Sequence, residues 1–199
     1  MIVTYLGKVL DFTALNICDR EKRINQIFSS LFADNEIVRE VIIDGKVYQE
    51  HYETALKQDL AHIQEVKIET VPGDVLVKDI IKELKEYLPR VNRAIESISD
   101  LFYGDMNKQD WNLFSQLLEG VGWVNQAANI ILLQLQRLHE KDLFVNNLSE
   151  FVERMPILLS KLEAALEEKE HVAAGDLIKY EIGELFQQFE RSIQLKENV

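Results

Sequence analysis

Few residues of this chain have types and spacing that could do chemistry, and the best candidates resemble half of a metal site. Di-metal sites in helix bundles need a Glu-x-x-His pair on each of two helices and a further Glu from each of two others. Glu168 and His171 have this spacing, at the end of a predicted helix, whereas His139 has Gln136 at the corresponding position. We therefore predict no metal and no cofactor, and we expect His171 to lie near the negative end of a helix dipole.

Nucleophilic and phosphate-binding chemistry is not indicated either. The chain has no Gly-x-Ser-x-Gly motif, and Gly120-x-Gly122 falls inside a helical pattern instead of between a strand and a helix. Cys18 is the only cysteine and has no histidine nearby in the sequence, so we expect an unreactive, partly buried thiol. Paired carboxylates such as Glu167 and Glu168 lie on polar helix faces. No catalytic residue is predicted, and we expect the protein not to be an enzyme.

The elements that would position any site are clearer, because apolar residues recur at steps of three and four through the last two-thirds of the chain. Such spacing places them on one face of a helix. Four stripes of this kind predict helices over 74–103, 108–140, 142–169 and 172–196. Short links between long amphipathic helices favour antiparallel neighbours, so we predict an antiparallel four-helix bundle. Pro89 and Pro156 predict kinks or breaks in the first and third helices.

The first 72 residues have a different pattern, which predicts a small sheet. Strand-like segments occur over 2–6, 39–43, 46–49 and 65–71, and Asp44-Gly45 is a strong signal for a two-residue hairpin. A helix capped by Asp19 and a shorter one over 52–63 complete a small α+β domain of the ubiquitin-like or β-grasp-like kind. Pro72-Gly73 marks the boundary. The fold class is thus α+β, with a sheet domain over 1–72 and a helical bundle domain over 73–199.

Composition narrows the classes of partner. The chain of 199 residues carries a formal net charge of −12, distributed along its length. An acidic surface repels phosphate backbones and anionic lipid, so we expect neither a nucleic-acid nor a membrane partner. No apolar run is long enough to span a bilayer, and the first residues lack the pattern of a signal peptide. We expect a cytoplasmic protein.

Three segments carry a resemblance to a known family. These are VREVIIDGKVY, the strand VKIETV, and FYGDMNKQDWNLFSQLLEGVGWV. They resemble a family of bacterial hypothetical proteins that pair a small N-terminal α+β module with a helical C-terminal half. The resemblance implies this fold and a bacterial source, and it implies no substrate, cofactor or catalytic residue.

The least usual local feature is a pair of glycines next to a tryptophan within the second predicted helix. Two helical glycines cost up to roughly 1 kcal/mol each relative to alanine. Gly120 and Gly122 therefore indicate close approach of another helix or room for a large neighbouring side chain. The functional alternative is a bend or pocket beside Trp123 in which a ligand or partner residue docks. On the last helix we select Tyr180, together with Phe186, which we expect to be exposed because it lies off the main stripe.

These observations favour a non-enzymatic protein–protein interaction protein, an adaptor or chaperone-like factor. Gly120, Gly122, Trp123, Tyr180 and Phe186 are its predicted partner-binding residues. One alternative is a chaperone of the secretion or flagellar export kind, and another is an enzyme that binds a metal or small molecule inside the bundle. A third is a homodimer through the second helix, whose apolar sector is widened by Leu113, Leu118, Ile130, Leu132 and Leu133.

Overall fold

A computed structural model describes residues 1–138 and 142–196 of the chain. The protein is of the α+β class, with an N-terminal five-stranded sheet and a C-terminal helical part. It divides into two compact units, Met1–Leu76 and a second unit that begins at Val77. The division falls within the first turn of a long helix, and the domain boundary after residue 72 stays a prediction.

The first unit contains a mixed sheet. Its strands in chain order are β1 (Ile2–Tyr5), β2 (Lys8–Asp11), β3 (Glu36–Ile43), β4 (Lys46–Tyr48) and β5 (Glu65–Pro72). They lie in the order β2-β1-β5-β3-β4, in which β1 and β5 are parallel and every other neighbouring pair is antiparallel. Four of these strands were predicted, and β2 was not.

Two-residue turns close both hairpins of the sheet. Asp44 and Gly45 have φ values of 47° and 83°, which are typical of the predicted type I′ turn. The Asp44 carboxylate also accepts hydrogen bonds from the backbone N–H groups of Gln64 and Glu65, at 2.9 and 2.8 Å. Leu6 and Gly7 form the second turn, with φ values of 46° and 72°. The sequence does not reveal it, because leucine rarely adopts the left-handed region.

Two helices accompany the sheet, α1 (Ile17–Ala33) and α2 (Tyr52–Asp59). The predicted cap of α1 was wrong: Asn16 is the N-cap, and its side-chain oxygen accepts from the Asp19 N–H at 2.9 Å. Asp19 lies in the first turn, where its negative charge interacts favourably with the positive end of the helix dipole and stabilises the helix. Cys18 is exposed in the same turn, contrary to expectation. The core of this unit is formed by Met1, Val3, Phe12, Ile24, Ile27, Leu31, Val41, Ile43, Leu56, Leu60, Ile63, Val66 and Ile68.

The second unit is helical. Its elements are α3 (Gly73–Ser99), a 3₁₀ turn (Asp100–Tyr103), α4 (Lys108–Arg137), α5 (Leu143–Glu167), α6 (His171–Asp176), a π-helical segment (Leu177–Ile182) and α7 (Gly183–Leu195). The first three predicted helices correspond to α3 with its 3₁₀ turn, α4 and α5. The predicted end of the second helix at residue 140 lies outside the described residues. The predicted fourth helix is divided, because the π-helical segment separates α6 from α7.

Side-chain caps explain where α4 and α5 begin. Asn107 and Asp110 form a capping box, in which the Asn107 side chain accepts from the Gln109 and Asp110 N–H groups. Asp142 caps α5 by accepting from the Val145 N–H at 2.9 Å. Pro89 lies inside α3 and Pro156 lies inside α5, and each helix continues past its proline. The breaks predicted at these two positions are therefore absent.

The predicted apolar stripes form the core of the helical unit. Every residue of the four stripes is buried except Leu138, which follows the last residue of α4 and is 48% exposed. Leu132, which was predicted to widen the outer apolar sector of α4, is also buried. The buried polar residues in the described part of the chain are Ser99, Gln134 and Ser192.

Candidate functional site

A polar and aromatic cluster lies where the 3₁₀ turn after α3 meets the π-helical segment. The Tyr103 hydroxyl donates a hydrogen bond to an Asp176 carboxylate oxygen at 2.7 Å. The Lys179 ammonium pairs with Asp100 at 2.8 Å and lies 5.7 Å from the centre of the Tyr103 ring. Tyr180 follows directly and is 61% exposed. These contacts hold Tyr103 in a fixed position beside an ion pair, and Tyr180 lies next to that pair in the sequence.

The protonation states of this cluster follow from its contacts. The hydrogen bond to Asp176 raises the pKa of Tyr103 to about 12, because the neutral hydroxyl is the form that donates. The hydrogen bond to Asp100 raises the pKa of Lys179 above its ordinary value. At neutral pH the tyrosine is therefore a neutral donor and the lysine a cation. This arrangement suits binding better than proton abstraction by either group.

Aromatic rings extend the cluster towards the start of α4. Trp111 packs edge-to-face on Phe102, with ring centres 5.9 Å apart, and its indole lies 5.7 Å from the His171 ring. Trp111 thus holds the beginning of α4 against the 3₁₀ turn that follows α3. We call Tyr103, Trp111, His171 and Tyr180 the aromatic surface.

His171 does not lie where the sequence indicated. The prediction placed it at the end of the third helix, but it is the first residue of α6. The chain turns between the two helices at Lys169, which has a φ of 60°. Glu168 and His171 are therefore on different elements. Within residues 1–138 and 142–196, no group of three His, Cys, Asp or Glu side chains is arranged to hold a metal ion. His139 lies outside these residues.

The π-helical segment carries buried residues on one side and Tyr180 on the other. The Gly183 N–H donates to the Ile178 carbonyl, five residues earlier, which is the bond that defines a π-helix. Ile178 and Ile182 remain buried, whereas Tyr180 points to solvent. π-helical turns are rare and are frequent at functional sites. This segment therefore marks the aromatic surface as a candidate site.

Phe186 is not exposed, so the prediction of its exposure was wrong. Its relative exposure is 0%, and its ring packs edge-to-face on Phe151 with centres 5.3 Å apart. The physical reason is its spacing from Ile182 and Phe189, which lie four residues before and three after it. These steps continue the core stripe, and the wide π turn makes room for both Leu185 and Phe186 in the core.

Trp123 of α4 lies on a second surface, and Gly120 is buried close to it. A Cβ atom at Gly120 would lie 2.7 Å from the Tyr87 hydroxyl oxygen, so the glycine allows Tyr87 of α3 to approach α4. Trp123 packs edge-to-face on the same tyrosine, with centres 4.9 Å apart, and is 38% exposed. Gly122 has no atom within 4 Å of its ideal Cβ position. Room for the Tyr87 side chain therefore accounts for Gly120, and nothing in the structure accounts for Gly122.

The sequence did not reveal most of the aromatic surface. Tyr103 and Asp176 are 73 residues apart, and Asp100 and Lys179 are 79 residues apart. No local spacing connects such residues, and only the fold brings them together. Tyr180 was selected from the sequence, and it lies beside them.

The fold and these two surfaces define an α+β protein with a sheet unit and a helical unit that exposes aromatic side chains. Residues 79–192 match the family model described as Domain of unknown function (DUF8042). The match covers more than half of the 199 residues, and the chain belongs to this family. The predicted kinship with an uncharacterised family is thus confirmed, and a bacterial source stays a prediction.

No curated protein and no solved structure matches the chain. The family match begins in α3 and ends in α7, so it includes both the aromatic surface and Trp123. None of the helices in the described part of the chain has the length and apolar character needed to cross a membrane.

Proposed function

We propose that the protein is a non-enzymatic protein–protein interaction factor, an adaptor or chaperone-like protein, that binds a partner through the aromatic surface. The observation that carries this proposal is the exposure of Tyr103, Trp111 and Tyr180, at 44%, 38% and 61%, on a surface fixed by hydrogen bonds and ring packing. Tyrosine and tryptophan are enriched among the residues that dominate binding energy at interfaces. Side chains that are already ordered lose little entropy on binding.

The charge of the protein favours a basic partner. The formal net charge is −12, and Asp100 and Asp176 both lie within the aromatic surface region. A segment with aromatic or aliphatic side chains flanked by lysine or arginine would complement it. Nucleic acid and anionic membranes would not complement this surface, because their phosphate groups are repelled by its acidic side chains.

Affinity capture from the lysate of the source cell tests this proposal. Wild type, Tyr180→Ala and Ile157→Ala serve as baits; Ile157 is a comparably exposed residue of α5, at 59%. We expect a partner that is captured by wild type and by Ile157→Ala and is reduced at least tenfold with Tyr180→Ala. All three baits must retain the helical circular dichroism of wild type. Equal capture by all three would contradict the proposal.

A groove between α5 and α7 supports the export-chaperone alternative. Its volume is about 250 Å³, and its apolar lining residues are Phe151, Leu185, Phe189 and Leu195. An amphipathic helix of an export substrate could place apolar side chains in such a groove. Loss of partner capture with Leu195→Asp, but not with Tyr180→Ala, would favour this alternative.

The finer fold description and the location are also part of the proposal. The mixed sheet, together with the packing of α1 on β3, supports a β-grasp-like sheet domain. The packing of α5 on both α4 and α7 supports an antiparallel four-helix bundle in which α6, the π-helical segment and α7 act as one helix. The single cysteine and the acidic composition support a cytoplasmic location.

A further inference from the structure

The outward face of α4 lacks charge along most of its length. The segment 120–136 contains no Asp, Glu, Lys, Arg or His, although charged residues make up 28% of the chain. Its exposed side chains are apolar groups and amides, among them Trp123, Gln126, Ile130 and Leu133. A solvated helix face normally carries charges, whereas the buried centre of an interface is depleted in them and enriched in aromatic residues.

These residues belong to a second heptad stripe, on the side of α4 opposite the core, whose members are exposed except for the half-buried Arg137. The stripe alternates steps of three and four, which is the spacing of a coiled-coil seam. We call it the outer seam, and it consists of Gln116, Glu119, Trp123, Gln126, Ile130, Leu133 and Arg137. Trp123, Ile130 and Leu133 are 38%, 40% and 59% exposed. The packing of Trp123 on Tyr87 fixes the indole before any partner binds.

The outer seam is complementary to itself when reversed. Consider two copies of α4 that run antiparallel, related by a two-fold axis that crosses the seam at the level of residue 128. Trp123 then lies opposite Leu133 of the second copy, and Gln126 lies opposite Ile130. The same axis places Glu119 opposite Arg137, so both ends of the seam carry opposite charges. The 18 residue steps from Glu119 to Arg137 give this part of the seam a length of about 27 Å. In a two-fold interface each such pair occurs twice.

We propose that the outer seam of α4 binds the outer seam of a second copy of this chain in an antiparallel helix pair. Each chain has a net charge of −12, so two copies repel each other. This repulsion is weakest when they meet at the uncharged segment 120–136. This segment offers no acidic side chain that would select a basic partner. This dimer does not depend on the aromatic surface.

Charge reversal at the two ends of the seam tests the register. Glu119→Arg alone places two arginine pairs across the axis, and Arg137→Glu alone places two glutamate pairs there. Each variant is expected to weaken the dimer at least tenfold in sedimentation equilibrium of the full chain. An equimolar mixture of the two variants restores both opposite-charge pairs and is expected to give a heterodimer. Restoration in trans cannot come from a contact within one chain.

Two control variants separate this proposal from the proposed function. Glu163→Arg reverses an exposed charge on α5, away from the seam, and is expected to leave the dimer unchanged. Tyr180→Ala is likewise expected to leave it unchanged, whatever its effect on partner capture. A wild type that remains monomeric at 100 µM would overturn the proposal. Folded single variants that do not associate when mixed would also overturn it.

Discussion

Gly175 lies beneath the aromatic surface at a point where no larger residue fits without movement. A Cβ atom there would lie 2.9 Å from the Phe102 Cβ and 3.2 Å from the Ser99 carbonyl oxygen. We expect Gly175→Ala to lower the free energy of unfolding by about 1–3 kcal/mol, as overpacking does. Urea denaturation followed by circular dichroism measures it.

Gly122→Ala is the matched control for this change. Its added methyl group meets no atom within 4 Å, and alanine is the better helix former. We expect it to raise the free energy of unfolding by up to about 1 kcal/mol. If Gly175→Ala were equally stabilising, the close packing of Gly175 on Phe102 would be refuted.

Asp142 links stability to pH. The Val145 N–H and the Lys196 ammonium hold the pKa of this carboxyl below its ordinary value of 3.8. Because the pKa of Asp142 is lower in the folded state than in the unfolded state, its charge stabilises the fold at any pH above the unfolded-state pKa. This stabilisation is lost as the pH falls through the folded-state pKa. We therefore expect wild type to be more stable than Asp142→Asn at pH 7, with a difference that shrinks below pH 4. Thermal unfolding of both proteins between pH 7 and pH 3 measures it, and a difference independent of pH would contradict the assignment.

At the scale of elements, the division of the last predicted helix matters most for the candidate site. The π-helical segment keeps Ile178, Ile182 and Phe186 in the core although they are separated by two successive steps of four. In an α-helix such steps drift around the axis, and a wider turn compensates for the drift. Tyr180 lies on the outer side of this segment, two residues from both Ile178 and Ile182.

Deleting Glu181 should convert the π-helical segment into α-helix. We expect circular dichroism to show unchanged helix content, because core residues remain three or four apart after the deletion. Tyr180 and Lys179 then rotate relative to Tyr103, so partner capture should fall at least tenfold. A Glu181→Ala variant is the control, since it removes the ion pair with Lys161 but keeps the chain length. Undiminished capture by the deletion variant would refute the role of the segment.

The elements were largely predictable from sequence, and the reasons are physical. Apolar spacing located the helices because every stripe residue but Leu138 is buried. Asp44-Gly45 located a hairpin because few residues other than these types adopt both dihedral angles. The π-helical segment was not predicted, since its apolar spacing also fits an irregular α-helix. The cluster around Tyr103 was not predicted either, because its hydrogen bond and ion pair join residues more than 70 positions apart.

At the scale of the whole molecule, the residues that the structure describes form two hydrophobic cores, one in each unit. Val66 belongs to the first and Leu148 to the second, and both are fully buried. We expect Leu148→Ala to destabilise the helical unit by about 2–5 kcal/mol. In hydrogen exchange followed by mass spectrometry, the exchange rates of α3 to α7 should then rise more than those of the sheet.

Val66→Ala is the reciprocal variant. It should accelerate exchange in the five strands and leave the helical unit largely protected. A uniform acceleration across the chain in either variant would show that both units unfold as one cooperative body, contrary to the expectation from two cores.

The π-helical segment has a consequence for reading the family. A π turn holds one residue more than the α-helix needs to continue, so a relative that lacks this residue would conserve the fold and lose the orientation of Tyr180. Under the proposed function, a one-residue gap between positions 177 and 182 would therefore separate relatives that bind the partner from relatives that do not. Chain length at this single point is then a better guide to shared binding than overall similarity.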